Sequence, residues 1–235
     1  MLRTTLLAAL CALLCLTGSA FAQLDITDIQ VYDDAGAPAS PYVGTSQTVR
    51  GVVTCPLNIY NGGTHYIQDP TGGMSFFLTG TGLVLGDSVE VTGTVGAFGG
   101  EIQLASPSVT VLGFSTVPDP LALTVNEALD YDGSGTQTSG DYEIVGTLVT
   151  VTGTITYVNS AATFSLYDGT DTLAVYIDST TGIDDAGVDE GDLYAITSPM
   201  VNFNGLLELK PRYQTDLVEN PGNPFPVIEN ITPTP

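Results

Sequence analysis

The same run of strand-like segments occurs twice in this chain, and that repetition constrains its fold more than any other feature. Thr48-Val49-Arg50-Gly51-Val52-Val53-Thr54 matches Thr150-Val151-Thr152-Gly153-Thr154-Ile155-Thr156, and His65 to Leu78 (HYIQDPTGGMSFFL) matches Phe164 to Ile177 (FSLYDGTDTLAVYI) without a gap. Gly86-Asp87-Ser88-Val89-Glu90-Val91-Thr92 matches Gly191-Asp192-Leu193-Tyr194-Ala195-Ile196-Thr197, and Phe98-Gly99-Gly100 matches Phe203-Asn204-Gly205. The offset changes between blocks, so insertions fall in loops and the matched segments are the structural units.

Within each unit, β-branched residues alternate with turn residues, tryptophan is absent, and helical periodicity is confined to Thr124–Leu129, where Thr124 can cap one or two turns. The class is all-β. Each repeat reads as five strands: a first strand bent at a central glycine (Gly51, Gly153), a hairpin through Asp-x-Thr, a Gly-Asp entry into a fourth strand, and a Phe-x-Gly turn into a fifth. Five strands in about 70 residues is the rhythm of an OB-fold barrel, which hides its sheet edges by near closure. The reading is therefore two tandem five-stranded OB-fold-like barrels after a cleaved signal peptide. Its segments are a leader at 1–22, a first barrel at 23–115, a linker with a short helix at 116–140, a second barrel at 141–218, and a Pro-rich tail at 219–235. Barrels this small are marginal alone, so the two should pack or be braced by the segment between them.

The leader has one basic residue, Arg3, an apolar run from Leu6 to Leu16 too short to span a bilayer, and a small-x-small site, Ala20-Phe21-Ala22, before Gln23. It predicts a secreted chain, extracellular or periplasmic, with no membrane attachment in the mature form. Cys11 and Cys15 leave with it, so no intrachain disulfide can form, and the remaining Cys55 reads as a buried, inert thiol. Formal net charge is −22, with 26 acidic residues against four basic ones. Loss of Arg3 leaves Arg50, Lys210 and Arg212. Such a surface repels phosphate and favours cationic or metal-bridged partners.

The segments VRGVVT, YIQDPTGGMSFFL, LGDSVEVTGTV and FGGEIQL, followed by LVTVTGTI, FSLYDGT, LAVYID and NGLLELKPR, resemble a known family. It is the tandem OB-fold accessory modules of bacterial secreted proteins, as found upstream of extracellular endonuclease/exonuclease/phosphatase-type nucleases. The resemblance covers nearly all of the mature chain. It implies a module that binds nucleic acid and brings no catalytic residue. The final residues, PFPVIENITPTP, resemble the start of an immunoglobulin-like domain, which implies a longer parent protein.

Taken alone, the residues point to no enzyme. The single histidine, His65, has Phe164 as its repeat partner and reads as a barrel-core or barrel-mouth residue rather than a base; no nucleophile elbow, phosphate loop or CxxC pair occurs. Asp69 and Asp168 match across the repeats and read as turn residues. Strand alternation puts His65, Ile67, Met74, Phe76 and Leu78, with their counterparts Phe164, Leu166, Leu173, Val175 and Ile177, inside the barrels. The opposite faces then carry Tyr66, Phe77, Tyr167 and Tyr176. These aromatics suit base stacking on single-stranded nucleic acid or another polymer, and equally suit packing between barrels or against a neighbouring domain. Arg50, Lys210 and Arg212 are the cations available to a phosphate backbone.

No cofactor is required, with one exception to weigh. Asp130-x-Asp132-x-Ser134-Gly135, with Asp141 at the twelfth place, has the oxygen ligands and the glycine of a Ca²⁺ loop, against the alternative of a plain surface turn. The acidic loop Asp184-Asp185 to Asp192 is a second candidate cation site, against that of a solvated loop. The function expected is a secreted, non-catalytic tandem OB-fold binding module; the competing one is a structural or adhesive spacer that docks a neighbouring domain.

Overall fold

A computed structural model of the chain describes residues 23–60, 63–157 and 163–220. The leader expected at 1–22 and the tail from 221 lie outside the described residues. Among those described, no helix is long and apolar enough to cross a membrane.

The first unit opens with one helical turn, α1 (Ile26–Ile29), whose apolar side chains Ile26 and Ile29 are fully buried. Five strands follow: β1 (Ser46–Tyr60), β2 (Thr64–Gln68), β3 (Gly73–Phe77), β4 (Asp87–Phe98) and β5 (Glu101–Phe114). They close in the order β1-β2-β3-β5-β4. All contacts are antiparallel except β3 with β5, where Ser75 pairs with Gln103 and Phe76 with Leu104. The glycine corner is real. A Cβ on Gly51 would lie 3.0 Å from the Gln68 carbonyl oxygen and 3.1 Å from the Ile67 side chain, so β1 bends onto β2 only where no side chain intervenes.

The stretch expected as a linker supplies two parts of the second barrel. Strand β6 (Leu121–Thr124) runs parallel to the barrel's first strand, and α2 (Val125–Leu129) buries Val125 and Ala128. The Thr124 hydroxyl accepts the Glu127 N–H at 3.2 Å, and the Glu127 carboxylate accepts the Thr124 N–H at 2.8 Å, a reciprocal cap of the kind the sequence predicted at this threonine. A 3₁₀ segment, Ser139–Ile144, leads into β7 (Leu148–Thr156), β8 (Phe164–Tyr167), β9 (Thr172–Val175), β10 (Leu193–Phe203) and β11 (Leu206–Leu209). A short β12 (Leu217–Glu219) borders β10. Because β10 pairs back onto β7 from Leu193 opposite Thr154 to Pro199 opposite Leu148, this sheet also closes, with the connectivity of the first.

Equivalent residues make equivalent pairs. His65 faces Phe76 as Phe164 faces Val175. The Thr48 and Thr92 hydroxyls meet at 2.7 Å, as do those of Thr150 and Thr197. The predicted inward rows are buried in both barrels, with Leu78 and Ile177 partly buried at their ends. The fold is thus all-β, with two OB-like barrels.

The barrels touch closely. A Cβ on Gly73 in β3 would come within 1.9 Å of the Gly146 carbonyl oxygen at the entry to β7, and Gly146 itself has φ +82. The Gln68 side-chain oxygen accepts the Leu148 N–H at 2.9 Å. Elsewhere the Asn202 amide donates to the Gly36 and Gly100 carbonyls of the first unit, at 2.7 and 3.3 Å. One set of buried hydrophobics runs from Ile26 to Leu209 through both units.

Candidate functional site

Strand alternation alone cannot say which outward residues meet solvent, and the four aromatics of the outer faces separate here. Tyr66 is 3 % exposed, packed with Tyr60, Cys55 and Val201 between the barrels, so it is not a stacking platform. Its ring meets Tyr60 edge-on at 6.2 Å, and its hydroxyl donates to the Glu101 carboxylate at 3.1 Å. Phe77 is 48 % exposed, its ring lying over Gly63, where a Cβ would fall 2.4 Å from the ring. Tyr167 and Tyr176 are partly exposed, and the Tyr167 hydroxyl is turned back to the Gly169 carbonyl at 2.7 Å. One aromatic of the set is structural and three remain at the surface.

The three cations are each committed to a carboxylate. Arg50 pairs with Glu90 at 2.8 Å on the surface. Lys210 pairs with Asp178 at 3.1 Å and sits 4.5 Å from the centre of the Tyr60 ring and 5.6 Å from that of Tyr176. Arg212 is buried, forked onto Asp216 at 2.9 and 3.0 Å, with its remaining nitrogen on the Thr54 carbonyl of the first barrel. Burial alone would lower its pKa, but the hydrogen bonds and charge of Asp216 outweigh it and the pKa rises. Arg212 is therefore a brace between barrels, not a phosphate contact.

The same interface holds Glu101, whose repeat counterpart is Leu206. Burial pushes its carboxyl up to about 7, only partly offset by hydrogen bonds from Ser75 and Tyr66. Sequence reasoning passed over it, although a carboxylate whose repeat partner is apolar is a visible signal. The Tyr60 hydroxyl donates to the Lys210 carbonyl and closes the cluster. Cys55 is buried beside it, its thiol pushed by burial up to about 12 and so unreactive at neutral pH.

Asp130, Asp132 and Asp141 come together. One carboxylate oxygen from each lies within 4.8 Å of the others, an oxygen set that can hold a divalent cation. The Ser134 hydroxyl, in the same loop, donates to the Thr136 carbonyl at 2.7 Å. The carboxylates also serve the loop: Asp130 accepts the Gly135 N–H at 2.9 Å, Asp132 that of Ser134 at 2.8 Å, and Asp141 that of Thr138 at 2.8 Å. The Thr138 hydroxyl and the Ser134 N–H hold the Asp132 carboxyl below its usual range. The acidic loop at Asp184 to Asp192 makes no such cluster among the described residues.

His65 lies wholly inside the first barrel, stacked on Phe76 at 4.8 Å, with Nε2 3.1 Å from the Leu78 carbonyl oxygen. It faces no cleft. No family model matches the chain, and no curated protein matches it. Among solved structures it is similar to the Ifi202 HINa domain in complex with 20bp dsDNA, at 15 % identity and TM-score 0.35, covering 70 % of this chain and 91 % of that one. A murine DNA binding protein bound with ds DNA is similar at 11 % identity and TM-score 0.38, covering 69 % and 90 %. So is p202 HIN1 in complex with 12-mer dsDNA, at 15 % and 0.34, covering 70 % and 87 %. Likeness of this degree assigns neither a family nor a ligand to the chain.

Proposed function

We propose that the chain is a secreted, non-catalytic module in which two OB-type barrels act as one rigid body, holding or spacing a neighbouring part of an extracellular protein. The observation that supports this reading is Tyr66, buried with Val201 and bonded to the buried Glu101. The β2–β3 face that an OB barrel turns to a strand of nucleic acid is, in the first barrel, packed against its neighbour. The leader at 1–22 supports secretion. The enclosure of His65 supports the non-catalytic part, since a buried ring in a barrel core reaches no substrate.

Nucleic-acid binding is the second reading, favoured by the surface positions of Phe77, Tyr167 and Tyr176. Against it stand the net charge and the pairing of every described cation. Titration of the purified chain with single- and double-stranded DNA at low salt, followed by tyrosine fluorescence, separates the two. The scaffold reading expects no binding, and Tyr66→Ala to destabilise. Binding lost on replacing Phe77 and Tyr176, with stability unchanged, favours nucleic acid.

A further inference from the structure

The single histidine of the chain brings a polar ring into an apolar barrel, at a place whose repeat partner is Phe164. His65 is wholly buried, and its Nε2 lies 3.1 Å from the Leu78 carbonyl oxygen and 3.3 Å from the Thr81 hydroxyl. A carbonyl only accepts, so the neutral ring carries its proton on Nε2 and leaves Nδ1 as a bare acceptor. Among the described residues, Nδ1 has no hydrogen-bond partner. Phenylalanine fills the matching place in the second barrel without such an orphan, so the fold itself does not require the nitrogen.

Both bonds of the ring reach the loop between β3 and β4. From Thr79 to Leu83, that loop is held among the described residues by the Thr81 bond to His65 and by the buried Leu83 side chain. A Cβ on Gly80 or Gly82 would meet nothing within 4 Å, so the loop has room to move outward. The strands around His65 lack that freedom. Strand β2 pairs with β3 from Thr64 opposite Phe77 to Gln68 opposite Gly73, and with β1 along its other edge.

A second proton can enter the ring only at Nδ1. It would create a cation with an unaccepted N–H in the core, where no charge offsets it. Phe76 faces the ring from β3, Leu78 and Thr81 face it from the loop, and the Glu101 carboxylate is bonded to Tyr66 on the opposite face of β2. Burial accordingly holds the ring below its ordinary 6.5, the Leu78 carbonyl offsetting only part of the effect. The closed loop is then favoured above that value, and the open form gains as pH falls below it. We infer that His65 is an acid-sensitive latch: a proton taken from solvent onto Nδ1 draws the ring toward water, breaks its bonds to Leu78 and Thr81, and releases the β3–β4 loop while the strands stay paired. Release uncovers Leu83 beside Val84 and Leu85, which are already exposed, and so enlarges the apolar surface at that end of the barrel.

NMR of the full chain tests this, since one histidine gives one set of ring signals. The Leu78 N–H, bonded to the Gly63 carbonyl at 2.9 Å when the loop is closed, reports release through its hydrogen exchange. Between pH 7.5 and pH 5, the expected result is a ring that titrates below 6.5 and a Leu78 amide that loses protection about tenfold or more after correction for intrinsic exchange, with protection in the strands unchanged. His65→Phe, which copies the second barrel, should keep the loop closed at both pH values, and His65→Leu repeats the control if the larger ring does not fit. A ring that titrates at or above 6.5, equal Leu78 protection at both pH values, strands that open together with the loop, or a variant that retains the pH dependence overturns the latch. None of these outcomes bears on Tyr66, so the scaffold reading stands or falls separately.

Discussion

The Asp69 carboxylate accepts the backbone N–H of Ile26 at 3.0 Å, tying the β2–β3 hairpin to the first turn of α1 across 43 residues of sequence. The same carboxylate receives the N–H groups of Thr71 and Gly72 at 2.7 and 3.0 Å. Asp168 does the same in the second barrel, accepting Asn126 at 2.7 Å, and Thr170 and Asp171 at 3.0 Å each. One side chain thus closes a hairpin and caps the helix that stops the barrel's end.

Replacing either aspartate with alanine should therefore cost more than a turn residue does, about 1–2 kcal/mol each by urea denaturation. The Asp168 carboxyl is subject to burial, which raises its pKa, but its N–H donors win and hold it below its ordinary 3.8. Its contribution is then present above that value and lost as pH falls through the lowered one. Asp168→Asn should remove that acid sensitivity while keeping the hairpin.

Glu101 predicts the opposite slope. With its carboxyl raised to about 7 in the folded chain from an ordinary 4.5, the folded state holds the extra proton, so stability falls as pH rises from about 4.5 to 7. Glu101→Gln keeps the acceptor for Tyr66 without the buried charge. It should raise stability at pH 8, by on the order of 2 kcal/mol, and flatten the profile through that window. His65, lowered by burial despite its Leu78 contact, works the other way: its contribution is full above an ordinary 6.5 and declines as pH falls below it. A Glu101→Gln profile that still falls between pH 4.5 and 7 would place the effect elsewhere.

These residues also mark what was legible in the sequence. Period-two alternation fixes the inward rows from His65 to Ile177, and repeat matching fixes the five-strand unit and its recurrence, because both are local or pairwise properties of the chain. Helix α1 escaped because one turn is too short to show a 3.6-residue period, although Asp25 and Asp28 are spaced as a cap. Tyr66 and Phe77 stand on outer faces of adjacent strands, yet one is buried and the other is not. Only the docking of the second barrel decides that. Arg212 and Asp216 are four apart and could have been paired from sequence, which would have removed Arg212 from the phosphate set.

The Asp130–Asp141 loop is checked by melting in millimolar Ca²⁺ and in EDTA. Three carboxylates within 4.8 Å, with no cation of the chain among them, are expected to gain a few degrees from Ca²⁺ by mass action, and Asp132→Ala to abolish the gain. Equal melting temperatures would show that the loop's own N–H donors suffice.

The account's central claim is that the barrels form one body through the Tyr66 face, and calorimetry of the full chain tests it most directly. The prediction is a single unfolding transition, with Tyr66→Ala lowering it as a whole by about 3 kcal/mol or more of stability, since a buried aromatic is lost to a cavity between the units. Two resolved transitions in the parent, with Tyr66→Ala shifting neither or only one, would contradict it.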